Sequence, residues 1–196
     1  KQEIYNYLII TTDELYDEVA SSYFITWKTT HGYSIKIINT TDAEITSQPG
    51  FDLAQQIRNF LMENYINWGI EYVLIVGNYD TVPMRYCYPN QYNHEFNLTD
   101  VYSGEAPTDY YYADLSYPDN ESWDSDGDGY FGERIHDDPD LLAEVFVGRI
   151  PTNDEERVTY TLDKFVTYAS DTSDWKNNVL HAGAICFFQP FKDGAA

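Results

Sequence analysis

One short stretch of the sequence, between positions 124 and 133, concentrates carboxylates at a regular spacing. It contains three alternating aspartates, a glycine after the third and a later glutamate: Asp124, Asp126, Asp128, Gly129 and Glu133. Oxygen ligands of this kind suit Ca²⁺, which takes about six to eight oxygens at roughly 2.3–2.6 Å. A loop can supply that many only if it curls so that alternate side chains and one main-chain carbonyl point inward.

The rest of the stretch agrees with such a curl. Gly129 lies where these loops need a sharp turn, and Tyr130 is placed to offer its main-chain carbonyl. Glu133 comes earlier than the bidentate glutamate of an EF-hand loop, and no amphipathic helices flank the stretch. The ligand spacing is therefore similar to that of an EF-hand, but the surrounding structure is different. The predicted Ca²⁺ ligands are Asp124, Asp126, Asp128, Glu133 and the carbonyl of Tyr130. The alternative is a solvated acidic surface loop, although carboxylates this close repel one another without a cation.

The composition excludes several classes of partner. Eleven basic against 33 acidic residues give a net charge of −22, which excludes general binding to nucleic-acid phosphates and argues against anionic membrane surfaces. Hydrophobic residues make up 43% of the chain and aromatic residues 17%, so the charge does not indicate disorder. A chain of 196 residues is long enough for one well-buried domain with an insertion.

The sequence also bears on redox chemistry and location. Only two cysteines, Cys87 and Cys186, are present, so no disulfide framework is implied. No apolar run reaches the roughly twenty residues of a membrane span, and no leader is visible. Because Ca²⁺ loops of weak to moderate affinity favour the outside of the cell, where the ion is abundant, we expect a secreted or cell-surface protein.

Strands and helices alternate along the chain. The apolar, β-branched runs that predict strands are Tyr7–Thr11, Ser34–Ile38, Tyr72–Gly77, Glu144–Pro151 and Val179–Cys186. Three helices are predicted between them. The first is opened by a capping box of Thr11 and Glu14 and ends at Gly32, and the second lies between Gly50 and Gly69.

The third helix follows the fourth strand. Another capping box, Thr152 with Glu155, is expected to open it, and its predicted inward face consists of Val158, Leu162, Phe165 and Val166. Repeated strand–helix–strand units of this length predict right-handed crossovers and a layered α/β fold. We therefore expect a single α/β domain over residues 1–196, with a mainly parallel, doubly wound sheet of four to five strands and helices on both faces. A flavodoxin-like sheet fits the same alternation.

The segment from Asn78 to Leu142 breaks this alternation, since no helix or buried strand is readable in it. A stretch of this length without regular structure, inside a compact domain, normally carries a function or is ordered by something else. The acidic stretch lies within it. We therefore predict an insertion over residues 78–142 that Ca²⁺ orders.

Several segments, in their order and spacing, resemble the gingipain-like cysteine peptidases, whose fold is caspase-like. They are residues 73–83, residues 107–115, the acidic loop ending at Gly132 and Glu133, and the strand end at residues 147–151. In that family such segments form the N-terminal, non-catalytic half of the peptidase domain. The catalytic histidine, in a His-Gly type of motif, and the nucleophilic cysteine belong to the second half, and neither motif is present in this sequence.

Two functions are compatible with these observations. In the first, which the resemblance implies, the chain is the N-terminal part of a secreted, Ca²⁺-stabilised cysteine endopeptidase. Its partner would be a C-terminal catalytic subdomain of the same protein, through which protein or peptide substrates bind, and the chain alone would be inactive. In the second, the chain is a free-standing, non-catalytic Ca²⁺-binding structural or interaction module.

Individual residues support the expectation of inactivity. His181 and Cys186 are predicted to lie on one strand, five positions apart, and so to point to opposite faces. Cys87 has no base nearby in the sequence, and a thiol nucleophile needs one.

Two other sets of residues allow alternative interpretations. Arg149 either clamps the calcium-binding region or the C-terminal half of the domain in place through a bidentate carboxylate pair, or makes a routine strand-end ion pair. Five further aspartates are either remote Ca²⁺ ligands or turn residues: Asp109, Asp114, Asp137, Asp138 and Asp140.

Overall fold

The computed structural model describes residues 4–88, 106–115, 123–133, 136–137 and 139–178. Its strands are β1 (Tyr7–Thr11), β2 (Ile35–Asn39), β3 (Tyr72–Val76), β4 (Arg85–Cys87), β5 (Ala106–Thr108) and β6 (Phe146–Ile150). Its α-helices are α1 (Tyr16–Ser21), α2 (Tyr23–Thr30), α3 (Ala43–Thr46), α4 (Leu53–Trp68) and α5 (Glu155–Ser170). Two 3₁₀ turns, Tyr110–Tyr112 and Asp174–Asn177, complete the regular structure.

The main sheet has the order β2-β1-β3-β6, and all its neighbours are parallel. Every residue of β1 is buried, and β3 is buried from its second residue onward, as expected for apolar strands covered on both faces. The predicted parallel α/β fold with four strands is therefore confirmed. The predicted fifth strand, Val179–Cys186, lies outside the described residues.

Helices cover both faces of this sheet. On one face, Leu8, Ile10 and Ile75 pack with the buried side of α4 and with aromatic residues from the insertion. On the other face, Ile9 and Leu74 pack beneath α1, α2 and α5. The side chains of consecutive strand residues point to opposite faces, so these runs supply two separate cores. No helix among the described residues is both long enough and apolar enough to span a membrane.

The prediction for the helix after β1 is wrong in two respects. Thr11 belongs to the strand, and its hydroxyl donates to the carbonyl of Val76 at 3.1 Å instead of capping a helix. The single helix predicted up to Gly32 is two helices, because Ser22 adopts an extended conformation between them, with ψ of 148°. The Ser22 hydroxyl donates to the Val19 carbonyl at 2.7 Å, which is the competition with helical hydrogen bonding expected of serine.

The third predicted helix is confirmed with a different cap and a narrower face. Asp154 is the N-cap, and its carboxylate accepts a hydrogen bond from the Arg157 amide at 2.9 Å. Thr152 instead accepts from the Asp154 amide. Val158, Leu162 and Val166 are buried as predicted, whereas Phe165 is 47% exposed.

The long helix α4 matches its prediction closely. Asp52 caps its start by accepting from the Gln55 amide at 2.8 Å, and Gly69 ends it in the left-handed conformation, with φ of 73°. Glycine adopts this conformation without the steric cost that a Cβ would add.

Between β3 and β6 the chain leaves the sheet, and we call residues 77–145 the excursion. Within it, β4 and β5 form a two-stranded antiparallel ribbon, and Tyr111 and Tyr112 are buried against α4 and the sheet. The described parts of the excursion therefore pack on the domain instead of standing apart from it.

Candidate functional site

The acidic loop is fixed to the core at both its ends. Trp123 and Phe131 are buried, and their rings both contact Tyr111 edge-on, with centroids 5.5 and 5.9 Å away. The Gly132 amide donates to the Trp123 carbonyl at 2.8 Å and closes the loop. The Phe131 carbonyl also accepts from the Tyr88 amide at 2.8 Å. Residues 124–130 therefore lie between two ends that are anchored on buried aromatic residues, which we call the aromatic base.

The carboxylates of the loop are oriented by its own main chain. Asp124 accepts from the Gly129 amide at 3.2 Å, and Asp126 accepts from the Asp128 amide at 3.3 Å. Asp128 in turn accepts from the Tyr130 amide at 2.8 Å. The sharp turn expected at Gly129 is present, with φ of 85°, a conformation that residues with a Cβ rarely adopt.

The structure brings three of the predicted ligands together. One ligand oxygen from each of Asp124, Asp126 and Asp128 lies within 4.8 Å of the others, and the last two residues are exposed. Two unit charges at 4.8 Å repel by about 1 kcal/mol in water and about 3 kcal/mol at an effective dielectric constant near 20. A hard cation with oxygen ligands would remove this repulsion.

Glu133 and Asp137 lie behind this cluster. Glu133 is fully buried and is not among the three residues whose ligand oxygens lie within 4.8 Å of one another. Asp137 accepts from the amides of Ser125 at 2.6 Å and Glu133 at 2.9 Å, so it joins the two ends of the loop. Burial raises the pKa of Asp137, and the charges of Asp124 and Asp126 raise it further.

The other aspartates considered from the sequence have separate roles. Asp114 is buried and accepts from the Leu141 amide at 3.2 Å. Asp140 accepts from the Leu142 amide at 2.8 Å, as a turn residue does. Asp138 lies outside the described residues, and Asp109 pairs with an arginine.

Arg149 makes the bidentate pair that the sequence suggested. Its guanidinium donates twice to Asp109, at 2.7 Å each, and also to the carbonyls of Gly77 at 2.9 Å and Val82 at 2.8 Å. Both side chains of the pair are largely buried. Arg149 thus holds the start of the excursion and its middle against the end of β6.

Two more buried arginines, which reasoning from the sequence missed, hold the same region. Arg58 on α4 donates to the carbonyls of Tyr111 and Asp114. Arg85 makes a bidentate pair with Asp52 at 2.8 Å. Both guanidinium carbons lie 4.7 Å from the Tyr111 ring centroid, a cation–π distance. Arg58 could have been identified from the sequence, because it is a basic residue on the apolar face of an amphipathic helix.

Cys87 lacks the surroundings of a nucleophile. Its thiol is partly buried and donates to the Ala106 carbonyl at 3.2 Å, and burial raises its pKa, which disfavours the reactive thiolate. The two described histidines are engaged elsewhere. His31 stacks on Trp27 at 4.1 Å, and His136 lies 3.7 Å from the Asp126 carboxylate. His181 and Cys186 lie outside the described residues.

Comparisons with known proteins agree with the fold. Residues 1–186 match the sequence profile described as Peptidase family C25. The structure is similar to gingipain R, an Arg-specific cysteine proteinase, with 18% identity and a TM-score of 0.52 over 86% of this chain and 29% of that one. It is also similar to a complex of the pro- and mature domains of RgpB from Porphyromonas gingivalis, with 18% identity and a TM-score of 0.53 over 83% of this chain and 29% of that one.

A further similarity is to dimeric latent PorU from Porphyromonas gingivalis, with 15% identity and a TM-score of 0.57 over 94% of this chain and 18% of that one. No curated protein matches the sequence. The chain therefore spans less than a third of the length of these solved chains. At these identities the similarity establishes the fold.

Proposed function

The chain belongs to peptidase family C25, as its resemblance to gingipain-like peptidases predicted, and we propose that it forms the N-terminal, non-catalytic part of a secreted cysteine endopeptidase of that type. In this proposal the catalytic histidine and cysteine belong to a C-terminal subdomain outside this chain. That subdomain is the partner of the chain and the part through which protein or peptide substrates bind.

The observation that carries this proposal is the family match over residues 1–186. The chain covers 29% of the length of gingipain R, which leaves room for a further part that contains the catalytic residues. The environment of Cys87 supports the same division, because its partly buried thiol hydrogen-bonds to a main-chain carbonyl instead of a base. A nucleophilic cysteine requires an activating base or an electropositive setting.

The test labels the protein made from its complete reading frame with an irreversible thiol-reactive peptide probe, and maps the labelled cysteine by mass spectrometry. We expect the label on a cysteine outside residues 1–196, and no peptide hydrolysis by the purified 196-residue chain. Hydrolysis by that chain that is lost in Cys87→Ala or Cys186→Ala would contradict the proposal. A complete protein without any peptidase activity would instead favour the free-standing Ca²⁺-binding module.

We also propose that the acidic loop binds Ca²⁺. Asp124, Asp126 and Asp128 form the centre of this site, because their ligand oxygens already lie within 4.8 Å of one another. The main-chain carbonyl of Tyr130 and the carboxylate of Glu133 are the proposed additional ligands. The aromatic base formed by Trp123 and Phe131 supports the site by fixing both ends of the loop.

Calorimetric titration of the chain with CaCl₂ tests this site. Asp126→Asn should weaken binding about tenfold or more, since a lost charge interaction of 1.4 kcal/mol already corresponds to a factor of ten. Asp163→Asn, which removes an exposed carboxylate from α5, is the matched control and should bind like the native chain. Equal affinity in both variants, or no heat in the native protein, would contradict the site. Glu133→Gln tests the fourth carboxylate separately.

An extracellular location follows from the calcium proposal. A loop in which two of the three central carboxylates are exposed is expected to bind Ca²⁺ only moderately, and extracellular modules with weak sites work at about 10⁻⁴–10⁻³ M. Fractionation of cells that express the complete reading frame, with detection by an antibody, tests this location. Recovery of the mature protein from the cytosol alone would contradict it.

A further inference from the structure

An apolar groove of about 330 Å³ opens at the amino-terminal edge of the main sheet, and we call it the Lys28 groove. The first residues of three parallel strands, Tyr7, Tyr72 and Phe146, line it together with aromatic residues of α2 and α5. It lies on the opposite face of the sheet from the aromatic base of the acidic loop. Its volume is at the low end of the range for small-molecule sites, about 300–1,000 Å³.

The groove has a buried floor and an exposed apolar rim. At the floor, Tyr7 and Phe24 are almost completely buried. At the rim, Phe146 is 70% exposed, Phe165 47% and Tyr168 53%. Apolar surface in contact with water is unfavourable, and a contiguous patch of it beside a cavity indicates a binding site.

Lys28 is the single charged side chain that lines this groove among the described residues. Its ammonium lies 4.2 Å from the centroid of the Tyr33 ring and 4.5 Å from that of the Tyr7 ring, which are cation–π distances. Within the described part of the chain no carboxylate pairs with it, although acidic residues outnumber basic ones by 33 to 11. Burial lowers the pKa of Lys28, as expected for an ammonium without an anionic partner.

These properties define the chemistry of a ligand. The apolar walls suit a hydrocarbon body, and the ammonium suits one negative charge at the end of that body. A strongly polar ligand would lose its hydration against the aromatic rim without gaining hydrogen bonds. A cationic amphiphile would place like charges together at Lys28.

We propose that the Lys28 groove binds an apolar monocarboxylate of fatty-acid type. In this complex the carboxylate pairs with the Lys28 ammonium, and the hydrocarbon chain lies along the aromatic wall formed by α2 and α5. The inference goes beyond the proposed peptidase role and does not depend on it.

Calorimetric titration of the native 196-residue chain with decanoate tests the site. Decanol and decyltrimethylammonium have the same chain with a neutral and a cationic head group. We expect one decanoate per chain, at least tenfold weaker binding of decanol, and no binding of the cation. Octanoate should bind about tenfold or more weakly than decanoate, because each buried methylene contributes a factor of about three to four in affinity.

Two kinds of variant separate the charge from the cavity. Lys28→Met should lower the affinity for decanoate to about that for decanol, whereas Lys28→Arg should keep the preference for the anion. Gly148→Leu should weaken binding of both ligands, since Gly148 lines the groove and a Cβ added there meets no atom within 4 Å. Lys164→Met is the matched control, because it removes an exposed lysine of α5 that does not line the groove. Circular dichroism checks that each variant is folded.

Four outcomes would overturn the proposal. The first is no binding of decanoate by the native chain, and the second is equal affinity of the native chain and Lys28→Met for it. Binding to phosphatidylglycerol vesicles without binding of monomeric decanoate would assign the groove to a membrane surface. A dimer in sedimentation that decanoate leaves intact and Gly148→Leu dissociates would assign it to a second copy of the chain.

Discussion

The parallel sheet and the excursion are stabilised by different kinds of interaction. The strands of the sheet contain buried apolar runs such as Leu8, Ile9 and Ile10, and helices cover both faces. The excursion packs on the domain and is also attached to α4 by Arg58 and Arg85 and to β6 by Arg149, which donate to carboxylates and main-chain carbonyls. Apolar burial is non-directional, whereas a bidentate guanidinium pair fixes one geometry.

This difference shows how an acidic chain can hold the described parts of a long excursion in place. Only eleven residues of the protein are Lys or Arg, and these three are directed inward instead of balancing the surface charge. The excursion should therefore respond to charge removal, pH and cations, and the sheet should respond to the removal of apolar volume.

The largest effect is expected for Arg149→Ala. It removes both hydrogen bonds to Asp109 and those to the Gly77 and Val82 carbonyls, and leaves a largely buried carboxylate without its guanidinium. Loss of one partner of a buried pair costs about 3–5 kcal/mol. Denaturant unfolding should show this loss, and limited proteolysis should cut the excursion before the sheet. Arg149→Lys keeps the charge without the bidentate geometry and should recover only part of the stability. Equal proteolysis of both regions would contradict the division.

Ile75→Ala should have the next largest effect, with the opposite pattern. Ile75 is fully buried in the central strand β3, so its truncation should lower the free energy of unfolding by about 2–5 kcal/mol. A value near the middle of that range is expected if the site relaxes in part. Chemical denaturation followed by tryptophan fluorescence measures the loss. Because the sheet carries the excursion, both regions should become protease-sensitive together. Protease sensitivity that increases in the excursion alone would contradict this expectation.

Gly77→Ala should cost less, about 1–3 kcal/mol. Gly77 has φ of +145°, and an added Cβ would lie 2.9 Å from a methyl carbon of Val82 and 3.0 Å from the Thr81 hydroxyl. This glycine begins the excursion directly after β3, so the strain falls on the junction between the two regions. Thermal unfolding of the variant beside Gly148→Ala, where a Cβ meets open space, provides the measurement and its control. A smaller loss for Gly77→Ala than for Gly148→Ala would contradict this expectation.

The smallest effect is a pH dependence at Asp52. Burial acts to raise the pKa of this carboxyl, but hydrogen bonds from Arg85 and the Gln55 amide outweigh it and hold the pKa below its ordinary value of 3.8. The stability that this pair contributes is present above pH 3.8 and is lost as the pH falls through the lower, folded-state pKa. Denaturant midpoints measured between neutral and acid pH should fall less steeply for Asp52→Asn. Identical slopes would show that the pair contributes nothing to acid stability.

The sequence predicted the sheet well because its signals are local. Short apolar β-branched runs such as Tyr72–Val76 are typical of buried strands, and Gly69 marks a helix end by its own conformational freedom. The caps were less predictable. Both Thr11 and Thr152 start a capping-box pattern, but neither caps a helix. Thr11 instead pairs within the sheet as part of β1, and Asp154 takes the N-cap position near Thr152.

The excursion was less predictable because its contacts are distant in sequence. The spacing of Asp124, Asp126 and Asp128 was enough to predict that they cluster. Neither the burial of Glu133 nor the role of Asp137 in joining the loop ends follows from local spacing. Arg58 contacts carbonyls more than fifty residues away, a pairing that no sequence period encodes.

The central proposal is that Ca²⁺ binds at the acidic loop, stabilises the excursion and leaves the sheet largely independent of it. Thermal unfolding and limited proteolysis of the native chain, in EDTA and in millimolar Ca²⁺, test this most directly. A ligand at a hundredfold excess over its dissociation constant stabilises the folded state by about 2.7 kcal/mol. We therefore expect a lower melting temperature in EDTA, with cleavage between positions 78 and 142 before any cleavage in the sheet. Mg²⁺ should substitute poorly, because it prefers a tight octahedron and keeps its waters. Identical melting curves and cleavage patterns in EDTA and in Ca²⁺ would contradict the account.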